Sequence, residues 1–313
     1  MSTAPPVPQI ALPPASPTVS VRPVALPSLD RTTALEVRVT APVAGRDLPV
    51  VVLSHGFGSS MDGYAPLADF WAAHGLVVVQ PTHLDAHDLG ITLDDPRFGD
   101  VWRIRVDDVV RVLDELEVCE TAVPGLTGRV DRSRVAVAGH SWGGQTVGML
   151  LGARVLGADG RPGEDRRDSR VSAGVLLSAT GTGGADLTPF AAEHFPFMNP
   201  DFTGLTTPTL VAAGDADRSA LSTRGPDWFT DPFALSPGAT ALLTLRDGEH
   251  GLGGIAGRAV VETTDESPAR VALVQSVTTV YLRDALGVDG GGAWAAAVAA
   301  LAGDHPLGRL VTR

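Results

Sequence analysis

Residues 139–143, which read Gly-His-Ser-Trp-Gly, constrain the fold of this chain more than any other stretch. They follow the apolar run 135–138, which is typical of a buried strand, and precede residues 145–150, which are compatible with a helix. A strand that turns this sharply into a helix requires small residues two positions before and after the central serine. Gly139 and Gly143 meet that requirement, so we predict a strand, a tight turn and a helix, with Ser141 projecting from the turn.

Apolar runs alternate with helix-like segments along most of the chain. Continuous apolar runs, which are typical of strands buried on both faces, occupy residues 48–53, 76–80, 171–178, 208–213 and 240–245. Helical spacing of apolar residues lies between or after them, at residues 62–73, 101–117 and 267–286. This alternation predicts an α/β fold with a mostly parallel central sheet and helices on both faces.

The chain divides into a proline-rich start and one large domain. Residues 1–30 contain eight prolines and are expected to lie extended, apart from a single domain over residues 31–313. Residues 179–207 have weak periodicity and are expected to form a short insertion in that domain. The first 30 residues lack a basic region and an uninterrupted apolar region, and no run approaches the ~20 apolar residues of a membrane span. We therefore expect no membrane span and a cytoplasmic location.

The charge balance restricts the class of partner. The formal net charge is −12, which argues against binding to nucleic acid or to an anionic membrane surface. It also favours a substrate that is not strongly anionic. The single cysteine, Cys119, excludes an intrachain disulfide. The oligomeric state does not follow from the sequence.

A serine hydroxyl needs a base, and the base needs a carboxylate that orients it, before the serine can attack a carbonyl. Of the histidines after Ser141, His250 lies just past the last predicted core strand, in a glycine-flanked loop, and we predict that it is the base. Asp215 and Asp217 both follow the preceding strand. The Gly-x-x-Asp spacing from Gly214 favours Asp217 as the carboxylate, with Asp215 as the alternative.

Two backbone N–H groups are candidates for binding a negatively charged oxygen. One is that of Trp142, directly after Ser141, at the start of the predicted helix. The other is that of Phe57, in the turn Ser-His-Gly-Phe-Gly that follows the strand over residues 48–53. His55 in this turn is predicted to make structural hydrogen bonds and not to act as a base.

Four motifs in order, at residues 54–58, 139–144, 214–217 and 248–251, resemble those of α/β-hydrolase fold serine esterases. The chain is most similar to the dienelactone hydrolase, platelet-activating-factor acetylhydrolase and chlorophyllase-like group, over residues 35–286. The resemblance implies the α/β-hydrolase fold, a triad of Ser141, Asp217 and His250, and no metal or other cofactor. Dienelactone hydrolases proper use a cysteine nucleophile, so their substrate is not carried over to a chain with Ser141.

These residues predict a serine hydrolase that cleaves a small-molecule carboxylic ester through an acyl-enzyme. An acyltransferase or amidase would use the same three side chains, and a non-catalytic relative would serve as a binding protein. Phe197, Met198 and Trp228 are candidate walls of the substrate pocket. The loop over residues 83–88 holds two histidines and two aspartates but matches no zinc-binding spacing, so we predict a polar loop at the rim of the site and no metal. A metal-dependent hydrolase built on this loop is the remaining alternative, and sensitivity to a chelator would distinguish it.

Overall fold

The computed structural model of the chain describes residues 7–27, 34–257 and 264–313. Within these ranges, the strands are Thr18–Leu26 (β1), Leu35–Pro42 (β2), Leu48–Ser54 (β3), Val77–Pro81 (β4), Val130–His140 (β5), Arg154–Val155 (β6), Val171–Leu177 (β7), Pro200–Asp201 (β8), Thr209–Gly214 (β9), Ala239–Leu245 (β10) and Gly308–Thr312 (β11). The helices are Ala65–Ala73 (α1), Val101–Asp114 (α2), Leu116–Ala122 (α3), Trp142–Leu151 (α4), Pro189–His194 (α5), Asp231–Leu235 (α6), Pro268–Ala285 (α7) and Gly292–Leu301 (α8).

Nine of the described strands form one sheet, in the order β1-β2-β4-β3-β5-β7-β9-β10-β11. The six strands from β4 to β10 in this order run parallel to one another. The pairs β1–β2, β2–β4 and β10–β11 are antiparallel and lie at the two sides of the sheet. Strands β6 and β8 form a separate antiparallel pair. The prediction of an α/β protein with a mostly parallel sheet is therefore confirmed.

Helices cover both faces of the sheet, as predicted. Successive residues of a strand point to opposite faces, so Val51 and Leu53 of β3 pack in one apolar cluster and Val50 and Val52 in another. The first cluster includes buried residues of α1, α7 and α8, and the second includes buried residues of α2, α3 and α4. This double burial explains why the central strands are almost uninterrupted runs of apolar residues.

The structure differs from the sequence prediction at the sides of the sheet and in one helix. Residues 18–26, predicted to belong to an extended segment apart from the domain, form β1, while residues 1–6 and 28–30 of that segment lie outside the described residues. Pro23 is tolerated because it lies on an edge strand at a register shift. The C-terminal strand β11 was not predicted at all. The helix predicted over residues 101–117 is two helices, because Glu115 leaves helical geometry with a ψ of 25°.

Parallel strands bring their carboxyl ends to one edge of the sheet. The loops after β3, β4, β5, β9 and β10 all start at that edge. These five loops contain all the polar motifs identified in the sequence. In the described part of the chain, no helix combines the length and the apolar character that a membrane crossing requires. The sheet thus gathers the candidate functional residues at one end of the molecule.

Trp71 links α1 to α7 and offers a test of the core. Its indole N–H donates to the Thr278 hydroxyl over 2.9 Å, and both side chains are fully buried. We expect Trp71→Phe to lower the free energy of unfolding by about 2 kcal/mol, because it leaves a buried hydroxyl without its donor and a small cavity. The measurement is urea unfolding. Trp294→Phe, a partly exposed tryptophan on α8, is the control, and an equal loss in both variants would contradict this role of Trp71.

Candidate active site

Ser141 lies between β5 and α4 in a backbone conformation that few L-residues adopt. Its φ is 54° and its ψ is −120°, and its N–H donates to the carbonyl of Leu177 over 2.9 Å. Such a conformation costs about 1–3 kcal/mol and persists only where the surrounding structure enforces it. The side chain of Ser141 therefore projects from a sharp turn at the carboxyl edge of the sheet.

The flanking glycines are required by close backbone packing. A Cβ atom on Gly139 would overlap the backbone of Gly143, and a Cβ atom on Gly143 would overlap the carbonyl groups of Ser54 and His55. The turn after β5 therefore lies directly against the turn after β3. Both glycines follow from the motif, and the structure supplies the steric reason for them.

Three side chains from three different loops form a hydrogen-bonded chain at this edge. His250 Nε2 lies 2.9 Å from Ser141 Oγ, and His250 Nδ1 lies 3.1 and 3.2 Å from the two carboxylate oxygens of Asp217. Asp217 is fully buried, whereas 23% of the His250 side chain is exposed. Asp215 is exposed, and its carboxylate accepts the N–H of Asp247 over 2.7 Å. The structure thus brings Asp217, and not Asp215, to the imidazole.

This chain of hydrogen bonds can move a proton from the serine. An ionised carboxylate only accepts, so Nδ1 of His250 carries a hydrogen and Nε2 is left with a lone pair towards the hydroxyl of Ser141. The imidazole can then take the hydroxyl proton while Asp217 stabilises the resulting positive charge. The arrangement is suited to nucleophilic attack by Ser141.

His140, which the sequence analysis did not assign to the site, holds the loop that carries His250. Its Nε2 donates to the backbone carbonyl of His250 over 2.8 Å, and its Nδ1 lies 2.7 Å from the hydroxyl of Tyr64. Burial and the nearby charge of His250 lower the pKa of His140 to about 3. Because the imidazole of His140 is neutral, Nδ1 is free to accept the Tyr64 proton. The position of His140 inside the 139–143 motif was the only sequence signal for this role.

A buried carboxylate fixes the same loop from the other side. Asp265 Oδ2 accepts the N–H of Glu249 over 2.9 Å and the N–H of Gly253 over 3.0 Å. These two amides flank His250 in the sequence. His250 is therefore positioned through the backbone as well as through its ring, and no spacing in the sequence indicated Asp265.

The two predicted amide donors belong to residues that lie beside Ser141. Among the described residues, the backbone N–H groups of Phe57 and Trp142 have no hydrogen-bond partner. The two residues lie close together, since their ring centroids are 4.6 Å apart. A Cβ atom on Gly56, directly before Phe57, would lie 3.6 Å from the Cβ atom of Ser141. Both amides are thus beside the serine and available to a ligand.

Aromatic side chains form one wall beside Ser141. Trp142 contacts Phe195 and Phe197 edge to face, with ring centroids 5.3 and 5.5 Å away, and 40% of Phe57 is exposed. Of the predicted substrate-binding residues, only Phe197 adjoins this wall, and it is mostly buried. Met198 and Trp228 are fully buried in the apolar cluster that also contains Trp142 and Phe197, and their assignment to the substrate pocket stays a prediction.

The loop over residues 83–88 contributes structural hydrogen bonds. His83 and Asp85 point inward to Asp108 and Arg105, whereas His87 and Asp88 are exposed. Within residues 7–27, 34–257 and 264–313, no group of three or more histidine, cysteine, aspartate or glutamate side chains could hold a metal ion. The loop lies under the turn that carries Phe57, since the N–H of His87 donates to the carbonyl of Gly58.

His55 makes structural hydrogen bonds, in line with its predicted role. Its Nδ1 donates to the carbonyl of Gly56 over 2.6 Å, and its Nε2 accepts the N–H of His83 over 3.0 Å. Burial, and then the charge of Arg105, lower the pKa of His55 to about 4. The ring is therefore neutral and fixes the turn after β3.

Comparison of the sequence with protein families and curated proteins finds no match. No protein-family model matches the sequence, and no curated protein matches it. The geometry of the site therefore carries the functional argument.

The two buried histidines predict how stability depends on pH. His140 and His55 have pKa values of about 3 and about 4 in the folded protein, against about 6.5 in an unfolded chain. Below pH 6.5 the unfolded chain binds more protons than the folded protein. The free energy of unfolding therefore decreases as the pH is lowered, by about 1.4 kcal/mol per pH unit for each histidine. Urea unfolding between pH 7 and pH 5 measures this slope.

His140→Asn removes one of the two titrating groups and is expected to reduce that slope. His305→Asn, in the partly exposed C-terminal segment, is the control and should leave it unchanged. A slope that is identical in the wild type and in His140→Asn would contradict a neutral, buried imidazole at position 140.

Proposed function

We propose that this protein is a serine hydrolase of the α/β-hydrolase fold that cleaves carboxylic esters. The observation that carries the proposal is the hydrogen-bonded chain from Ser141 through His250 to Asp217, at 2.9 and 3.1 Å, beside two backbone amides that have no partner in the described part of the chain. The order of the four motifs, which resembles that of the dienelactone hydrolase, platelet-activating-factor acetylhydrolase and chlorophyllase-like group, supports the same fold.

Acylation is the first half of the reaction. Ser141 Oγ attacks the ester carbonyl as His250 Nε2 takes the hydroxyl proton, and the carbonyl oxygen becomes an oxyanion. The N–H groups of Phe57 and Trp142 donate to this oxyanion, and the N-terminus of α4 adds a favourable dipole. The tetrahedral intermediate then collapses, the bond to the alcohol oxygen breaks, and His250 returns its proton to the departing alkoxide.

Deacylation repeats these steps with water. His250 Nε2 takes a proton from the water as its oxygen attacks the acyl carbon, and the same two amides bind the second oxyanion. When the intermediate collapses, the proton passes from His250 to Ser141 Oγ, which regenerates the free hydroxyl and releases the carboxylic acid. Asp217 remains ionised throughout and stabilises the imidazolium in each half-reaction.

The surroundings favour a neutral, apolar ester. Phe57 is 40% exposed next to Trp142, so an apolar group beside the scissile bond would bury aromatic surface. The buried ring of Phe229 packs beside that of His250, with ring centroids 5.5 Å apart. The net charge of −12 disfavours a strongly anionic substrate.

Hydrolysis of p-nitrophenyl acetate and butyrate tests the proposal. We expect turnover by the wild type and a loss in kcat/KM on the order of 10⁴-fold or more in Ser141→Ala and in Asp217→Asn, because each variant breaks the path of the proton. Asp215→Asn is the matched control, since this carboxylate follows the same strand but binds the Asp247 amide, and it should keep most of the activity.

Three other results would redirect the proposal. Equal activity in the wild type and in Ser141→Ala would show that the nucleophile lies elsewhere. An absence of turnover with every ester, together with tight binding of an ester, would favour a binding protein. Faster transfer of the acyl group to added alcohols or amines than to water would favour an acyltransferase.

The aromatic wall predicts a preference that depends on the Phe57 ring. We expect Phe57→Ala to raise KM for the butyrate ester by roughly 10-fold while kcat changes little, because the backbone N–H is kept and apolar contact is lost. Val43→Ala changes another exposed apolar residue, at the opposite edge of the sheet, and should leave KM unchanged. A fall in kcat without a change in KM would show that the ring does not bind substrate.

A further inference from the structure

A buried polar network lies beneath the turn that carries Phe57, and the proposed reaction does not use it. We call it the turn network and define it as Ser54, His83, Asp85, Arg105 and Asp108. Every member is at least nine-tenths buried, and Arg105 is 1% exposed. Buried charges and imidazoles are costly, so a cluster of this size calls for an explanation.

The guanidinium of Arg105 is the centre of the turn network. Its Nη1 donates to both carboxylate oxygens of Asp85 over 2.7 Å, and its Nε donates to the Thr146 hydroxyl on α4 over 2.9 Å. Its Nη2 donates to the backbone carbonyl of His55. The guanidinium of Arg105 therefore connects the loop after β4, helix α4 and His55 in the turn.

Asp85, which pairs with Arg105, binds the other end of the same turn. Asp85 Oδ2 accepts the N–H of Gly58 over 3.3 Å. Burial alone would raise the pKa of Asp85, but the Arg105 guanidinium outweighs it and keeps the pKa below its usual value, so the carboxylate is ionised. The ion pair thus contacts the turn on both sides of Phe57, once through a carbonyl and once through an amide.

Gly56, directly before Phe57, is also held by hydrogen bonds. The N–H of Gly56 donates to the Tyr64 hydroxyl over 3.1 Å, and the ring of His55 bridges the Gly56 carbonyl and the His83 amide. Phe57, between these fixed points, keeps an N–H without a partner among the described residues. The residues around Phe57 thus hold the turn in place, while the N–H of Phe57 itself remains available.

The remaining members form a second Ser-His-Asp chain. Ser54 Oγ lies 2.9 Å from His83 Nε2, and His83 Nδ1 lies 2.9 Å from Asp108 Oδ2. With its hydroxyl hydrogen directed to His83, Ser54 can also accept Arg105 Nη2 at 3.4 Å. Ser54 and His83 are fully buried, so no substrate reaches them and the chain serves as a support.

We propose that Asp85 and Arg105 are positioning residues, which hold the Phe57 N–H where the oxyanion of the proposed reaction develops. The proposal rests on the proposed function, because it assigns this amide to the oxyanion. This role explains why the protein has a buried ion pair here, although apolar side chains in the same place would give the fold a similar stability. An apolar pair could not fix a carbonyl and an amide on either side of one residue.

Kinetics of Arg105→Lys and Asp85→Asn test the proposal, with Ser54→Ala as a milder variant. We expect kcat for p-nitrophenyl butyrate to fall by roughly 10- to 100-fold in the first two, since complete loss of one oxyanion donor costs 10²–10³-fold in kcat. KM should stay within about two-fold, because the apolar wall is unchanged. Affinity for butylboronic acid, a mimic of the tetrahedral intermediate, should fall by a factor similar to that of kcat. In Ser54→Ala, which keeps the ion pair, we expect a smaller fall of about three-fold.

Glu120→Gln provides the control for general destabilisation. Glu120 is a nearly buried carboxylate that pairs with Arg132 on the far part of β5, away from the turn. Its substitution should lower the midpoint of urea unfolding without changing kcat or boronate affinity. The proposal is overturned if Arg105→Lys and Asp85→Asn behave in the same way, or if they raise KM and leave kcat unchanged.

Hydrogen exchange measures the turn without relying on activity. In Asp85→Asn, we expect the peptide that covers residues 54–59 to exchange at least tenfold faster than in the wild type, while peptides from α7 are unchanged. Unchanged exchange in residues 54–59 would show that the ion pair does not hold the turn and would overturn the proposal. If the wild type hydrolyses no ester, the proposed function fails, and exchange alone then decides whether the ion pair holds the turn.

Discussion

The strained backbone of Ser141 is the constraint on which the rest of the site depends. A φ of 54° at a non-glycine residue is sustained here by the hydrogen bond to Leu177 and by packing of Gly139 and Gly143 against neighbouring backbone. Because Gly143 lies against the carbonyls of Ser54 and His55, the same packing fixes the distance between the turns after β3 and β5. The serine and its two candidate amide donors therefore form one unit.

The distribution of charge around this unit is consistent with its proposed chemistry. His140 and His55, the two imidazoles that support the loops, are neutral, and the buried charges of Arg105 and Asp85 are paired. The repulsion from His250 that lowers the pKa of His140 is mutual, so a charged His140 would oppose formation of an imidazolium at His250. Because His140 is neutral, the charge in direct contact with the His250 ring is that of Asp217.

The parts that could be predicted from the sequence are those with a local physical signature. Buried parallel strands need continuous apolar runs, and the tight turn needs glycines at 139 and 143, so the central sheet and the place of Ser141 followed from the sequence. Edge strands β1 and β11 were missed because they are half-exposed and lack such runs. For Met198 and Trp228, the sequence does not separate a pocket wall from the core, because an apolar side chain has the same pattern in both. Asp265 and Arg105 act through hydrogen bonds to distant backbone groups, which no spacing encodes.

The two Ser-His-Asp chains of this molecule show which features define a candidate catalytic site. Ser54, His83 and Asp108 are joined by hydrogen bonds of 2.9 Å, as short as that between Ser141 and His250. Hydrogen-bond geometry therefore does not distinguish them. The difference is that Ser54 ends a regular strand in the interior, whereas Ser141 occupies a strained turn that is partly open to solvent. The turn lies beside amides for which the described residues provide no partner. Access and an available site for the oxyanion, more than the triad itself, are what separate a nucleophile from a structural hydroxyl.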